Sequence, residues 1–98
     1  MPDRPEIIRE DRPDGGRYVM YLPDGSEAQM TFRIRGTDTL VIDHTIVPNQ
    51  YRGHGLAAQL VERGISDART SNKKIVPQCS YVAAQFRRHP EWANLLAE

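Results

Sequence analysis

From Val47 to Ala57 the chain reads V-P-N-Q-Y-R-G-H-G-L-A, an apolar strand that runs into a glycine-bearing loop and opens at once onto a helix. A strand, a tight loop and an amphipathic helix in that order commit the chain to a layered fold in which the helix packs back on a sheet. Backbone N–H groups at a helix start have no intrahelical partner, and with the positive end of the helix dipole they attract anionic oxygens. Glycines at 53 and 55 let the main chain approach a ligand with no Cβ in the way, and Arg52 adds a formal charge beside them. The loop reads either as a phosphate cradle or as a helix start that is glycine-rich for steric reasons alone. It lacks both the G-x-G-x-x-G order of a dinucleotide fold and the G-K-[ST] ending of a P-loop.

Ninety-eight residues make one domain, large enough for a modest core. Thirteen Lys and Arg balance thirteen Asp and Glu, so no global field recruits nucleic acid or an anionic membrane. Any anion site must be local. One cysteine excludes an internal disulfide framework and a multi-cysteine zinc site, and no metal is expected. No apolar run approaches about 18 residues, and no basic, then apolar, leader begins the chain. A cytoplasmic protein is the expectation.

Turn signals divide the sequence. Residues 1–5 read as a loose, flexible polar end. A short first strand over residues 6–10 is closed by the cluster Pro13-Asp14-Gly15-Gly16, and a second over residues 17–22 by Pro23-Asp24-Gly25. Residues 27–35 alternate, with Ala28, Met30, Phe32 and Ile34 on one face and Gln29, Thr31, Arg33 and Arg35 on the other. Residues 39–47 are apolar at both ends, as a central strand covered on both faces would be. Asp43, His44 and Thr45 interrupt it where burial should be greatest, and buried polar groups cost free energy unless satisfied. After the loop, Leu56, Ala57, Leu60, Val61, Gly64, Ile65 and Ala68 recur at helical spacing. Gln59, Glu62, Arg63, Asp67 and Arg69 fall on the solvent side, and Asn72 is the expected C-cap. Residues 75–79 form a strand that a right-handed crossover lays parallel to the central one, and Pro77 favours an edge position or a strand splaying from its neighbour. Ser80 caps a helix over residues 81–88, and Pro90 starts a closing turn through Trp92 and Leu96. The expected fold is α+β, a four-stranded antiparallel meander followed by a long helix, a parallel strand and short C-terminal helices.

Arg52, Gly55 and Ala57 resemble the R-x-x-G-x-A pyrophosphate-binding motif of the GNAT superfamily of N-acetyltransferases. Three further stretches stand in the order that group shows: His44-Thr45-Ile46-Val47-Pro48, Pro77-Gln78-Cys79-Ser80-Tyr81-Val82 and His89-Pro90-Glu91. These stretches run from His44 to Glu91, and over about residues 16–92 the chain resembles the small single-domain GNAT-like members. Those members lack the helices that follow the first strand in larger GNAT enzymes, and with them the acceptor-binding surface. The resemblance implies acetyl-CoA as cosubstrate, its pantetheine arm in a cleft where the central and last strands diverge. Ile46 and Val47 would present main-chain groups to that arm, and Arg52, Gly53, His54, Gly55, Leu56 and Ala57 would hold the pyrophosphate. Lys73, Lys74, Arg87 or Arg88 would meet the terminal ribose phosphate, or stand as solvated surface charges.

In such a reaction an amine loses a proton, attacks the thioester carbonyl and expels the coenzyme as a thiolate. Because imidazoles in general change charge near neutral pH, His44 is the candidate base, and a hydrogen-bonded structural histidine is the alternative. Cys79 either accepts the acetyl group covalently, its pKa lowered by His44 or by the helix near Ser80, or lines the cleft as a small apolar residue. Tyr81 is the candidate for protonating the leaving thiolate, with core packing as the alternative. The acceptor is an exposed protein amine such as a lysine, or a small amine. Two rival classes remain. One is a catalytically degenerate module that binds coenzyme A or docks a protein partner. The other is a nucleic-acid-binding domain using Arg33, Arg35 and Arg52, which the zero net charge opposes. The protein is expected as a monomer, or as a weak homodimer through an uncovered strand edge.

Overall fold

The computed structural model describes residues 5–97, so the expected loose end falls, but for Pro5, outside the described residues. Five strands, β1 (Ile8–Arg12), β2 (Gly15–Tyr21), β3 (Glu27–Arg35), β4 (Thr39–Ile46) and β5 (Lys74–Pro77), lie in chain order in one sheet. The first four pair antiparallel and β5 runs parallel to β4. Helix α1 (Leu56–Ser71) makes the crossover and α2 (Ser80–Arg88) follows β5; 3-10 turns at Asn49–Tyr51 and Pro90–Leu95 precede α1 and follow α2. This is the α+β order that the turn signals and periodicities imply.

The helix period of α1 buries Leu56, Leu60, Val61, Ile65 and Ala68 against Tyr18, Met30 and Ile42, and α2 adds Val82 and Phe86 to the same cluster. Both helices thus cover one face of the sheet and leave the other free of helices. Gly64 lets α1 lie close, since a Cβ there would come within 3.0 Å of Met30 Cε. Asn72 ends α1 in the left-handed conformation, as expected. At the C-terminus the His89 ring stacks on Trp92 with centroids 4.0 Å apart, and His89 Nδ1 lies 3.0 Å from Glu91 Oε2. Ala97 N–H donates to Ile75 O, so the chain end covers part of the outer edge of β5. The His-Pro-Glu stretch is therefore a structural knot that ties α2 and the last turn to the sheet.

Four expectations need correction. The first strand begins two residues later than its apolar start indicates, and the turn shrinks to Pro13 and Asp14. Gly15 and Gly16 belong to β2, where a Cβ would stand 2.4 Å from Phe32 O and 2.3 Å from Glu10 O. Backbone crowding by both neighbouring strands explains these glycines. Helix α2 begins at Ser80 itself, with Cys79 as N-cap and no side-chain cap. Arg63 and Asp67 turn inward: Tyr18 Oη donates to Asp67 Oδ2 at 2.9 Å, and Arg9 Nη1 and Arg63 Nε reach the same carboxylate at 3.2 Å. Long side chains from β1 and α1 meet over the fully buried Tyr18 ring and clamp the first strand to the helix.

The fourth correction concerns β4. Its register against β3 shifts, with Phe32 opposite Ile42 and Thr31 opposite His44, so that Asp43 is a bulge residue. Thr39 to Ile42 have neighbours on both sides and are buried, whereas pairing with β5 stops at Ile42–Pro77. Burial falls off through Asp43, His44 and Thr45 instead of peaking there.

Candidate functional site

Beyond the bond from Cys79 N–H to Ile42 O, β4 has only β3 beside it. The opening so made leads on the helix side into a groove of about 370 Å³. Thr45 and Val47 form one wall, Tyr81 of α2 the other, and Tyr51, Arg52, Gly53 and Gly55 run along the loop to Leu56, Ala57 and Ala58 at the start of α1. Pro77 is the last residue of β5. A strand ending in proline cannot keep pairing along β4, which is the splay the sequence implies.

The loop's conformation turns its donors outward. Gly53 (φ 86°) and Gly55 (φ 77°) are left-handed, and a Cβ on either would meet nothing within 4 Å. Open space lies over both. Gly55 caps α1 without a side-chain hydrogen bond, the first turn holds no acidic residue, and no backbone N–H of residues 53–58 donates to a protein acceptor among the described residues. Arg52 has no carboxylate partner among them either. A row of free N–H groups, a helix dipole and an unpaired guanidinium on one groove have the chemistry that attracts an anion.

Of the residues singled out from sequence, Val47, Arg52, Gly53, Gly55, Leu56, Ala57 and Tyr81 line this groove. His54 does not, its ring meeting the edge of Tyr51 at 6.4 Å. Cys79 is half-buried beside the groove, and its Sγ donates to Thr45 Oγ1 at 3.7 Å. Burial pushes the Tyr81 phenol up, Arg88 pulls it back, and nearby Cys79 adds to the rise; the net shift is upward. Tyr81 therefore carries its proton at neutral pH. Ile46 is 55% exposed, and His44, across from Thr31, is exposed as well. Strand alternation turns both toward the helix-free face, while Thr45, across from buried Met30, faces the helices. The structure thus brings Cys79 and Tyr81 to the groove and presents His44 at the opening from the other side. Lys73 and Lys74 sit at the far end of α1, about 24 Å from the loop, and bond Thr37 O and Asn94 O.

Sequence reasoning gave no role to Thr45, Tyr51 or Ala58. Thr45 stands inside a motif stretch and Tyr51 directly precedes one, which was the available signal. Among the described residues no group of three or more His, Cys, Asp or Glu could hold a metal, and no helix is long and apolar enough to cross a membrane.

Residues 17–95 match the family described as GCN5-related N-acetyl-transferase. The fold is similar to the NMR solution structure of a GCN5-like protein from Staphylococcus aureus, with a TM-score of 0.75 and 21% sequence identity over 99% of this chain and 91% of that one. The family match takes in most of β2, the bulged strand, the donor-rich loop, the splayed β5 and both helices. The chain belongs to the GCN5-related N-acetyltransferase family.

Proposed function

We propose that the protein binds acetyl-CoA in the groove and transfers its acetyl group to an amine. The run of unpartnered N–H groups over residues 53–58 carries this reading, because it opens onto a groove that leads to Cys79 and the parting strands. Arg52, Gly53, His54, Gly55, Leu56 and Ala57 hold the pyrophosphate, and the main-chain edge that Ile46 and Val47 leave free where β5 has ended runs beside the pantetheine. Bound acetyl-CoA supplies an activated acetyl carbonyl. The chain's own task is proton traffic. The attacking amine gives a proton to His44 as its nitrogen bonds the carbonyl carbon, and Tyr81 gives one to sulfur as the carbon–sulfur bond breaks. Both exchange with solvent afterwards. A route through Cys79 would first place the acetyl group on Sγ and release the coenzyme. Intact mass after brief exposure to acetyl-CoA would then show one added acetyl group, absent in Cys79→Ala.

The placement of His44 outside the groove favours a second reading, coenzyme A binding without turnover. Loss of activity in His44→Ala with coenzyme binding intact supports catalysis, and a background rate equal in parent and variant supports the module. The founding test is thermal unfolding with acetyl-CoA, coenzyme A, ATP and NAD. Binding at a hundredfold excess over Kd stabilises by about 2.7 kcal/mol, an upshift on the order of 10 °C for a domain of this size. Both coenzyme A forms should shift the midpoint and the other two should not. No shift at millimolar ligand defeats the proposal.

A further inference from the structure

The helix-free face holds a second cavity, of about 310 Å³, lined from β1, β2, β3 and the turn between β1 and β2. It includes Gly15, whose missing side chain falls on this face across from Arg33, and is walled by Arg12, Arg17, Arg33, Gln29 and Thr31. Donors dominate this lining, with Asp14 as its one carboxylate. Arg17 is held by Glu10, Glu27 and Gln29. Arg33 keeps Nη1 free while Nε lies 3.4 Å from Asp43 and Nη2 donates to Gln78. Arg12 makes no hydrogen bond or ion pair to any side chain among the described residues, and its guanidinium acts on the Glu10 carboxylate only through space.

Two residues join this cavity to the reaction opening. Thr31 stands directly across from His44, and Arg33 bonds Gln78, the neighbour of Cys79. From the position of Arg33 to that of His44 is a diagonal step between adjacent strands, about 7–8 Å. A lone alkylammonium, such as a protein lysine, would meet mainly guanidiniums here. An amine that brings its own carboxylate would satisfy Arg12 and Arg33 at one end and meet His44 at the other.

We infer that this cavity is the acceptor site and that the acceptor is a small amino acid whose free carboxylate is held by Arg12 and Arg33 while its terminal amine reaches His44. The inference rests on the acetyltransferase reading for its chemistry, though the cavity can be tested separately. The probes are L-lysine, its decarboxylated form 1,5-diaminopentane, and Nα-acetyl-lysine amide as a stand-in for a protein side chain. Each is titrated into ¹⁵N-labelled protein with and without coenzyme A. L-lysine should perturb the amides of Gly15, Gly16, Thr31 and Arg33, and the two probes without a carboxylate should do so about tenfold more weakly. Arg12→Gln, at an exposed position, should fold as the parent does and bind L-lysine about tenfold more weakly. If turnover is measurable, the same preference should appear in KM. Equal or stronger perturbation by either carboxylate-free probe, an Arg12→Gln variant that binds like the parent, or no perturbation by L-lysine overturns the inference. A failed coenzyme reading shows separately, as silent amides over residues 53–58.

Discussion

The two ends of the sheet are built on opposite principles. At the β1 end, Arg9, Tyr18, Arg63 and Asp67 satisfy one another across three elements, and no buried side-chain polar atom among the described residues lacks a partner. At the β4 end the strands part, and among the described residues a row of backbone donors meets no acceptor and Arg52 has no ion-pair partner. Satisfied polar groups fix a structure, and unsatisfied ones at an open groove are free to bond a ligand or water. The closed end holds the open end in place through α1, which carries Asp67 in its last turns and the donor loop at its start.

If that division is right, damage at the two ends should read out differently. The largest effect is expected from Asp67→Ala, which leaves Tyr18 Oη and two guanidiniums without their shared acceptor. It should cost about 3 kcal/mol in denaturant unfolding, while the upshift produced by coenzyme A stays that of the parent. A loss of the upshift in the folded variant would show that the ends are coupled. Next is Gly55→Ala, which forces a Cβ into the left-handed region at a cost of about 1–2 kcal/mol and projects it into the open space above the loop. Here coenzyme binding should fall more than stability does. Arg52→Gln should be almost neutral for folding and weaken coenzyme A by about tenfold, or about 1.4 kcal/mol, with the deficit shrinking as salt rises.

The smallest effect is the pH dependence of the closed end. Burial alone would raise the Asp67 carboxyl, but hydrogen bonds from Tyr18 and Arg9 and the charge of Arg63 more than offset it and hold it below the usual range. A depressed carboxylate stabilises the fold above its unfolded value, about 3.9, and that contribution is lost as pH falls through the folded value. Tyr18 is the mirror case. Burial and its bond to Asp67 push its phenol up against the pull of Arg9, so its contribution is present below about pH 10 and lost as pH rises above it. Unfolding free energies at pH 3, 7 and 10.5 should fall at both extremes by less than about 1.4 kcal/mol per pH unit for each group. Both slopes should flatten in Asp67→Ala.

Much of the fold was legible because its signals are local. The alternation of Ala28, Met30 and Phe32, the helical spacing from Leu56 to Ala68 and the glycine loop each report one element's own geometry. Arg63 and Asp67 were misread for a definite reason. Long charged side chains on a helix flank look the same in sequence whether they face water or reach back to a neighbouring strand. Gly15 and Gly16 misled likewise, since a turn and a crowded strand both call for a missing Cβ.

The candidate site divides along the same line. Period-two alternation from buried Ile42 would aim His44 and Ile46 at the helices, yet the bulge at Asp43 inverts it, so Thr45 and Val47 face the groove and His44 the open side. The sequence by itself determined the order of elements, the anion-ready loop and the splay after Pro77, because these follow from φ preferences, missing donors and periodicity within a few residues. Which side of the sheet each reactive group occupies was decided by strand register, through pairings between residues far apart in the chain, and only the tertiary structure supplies those.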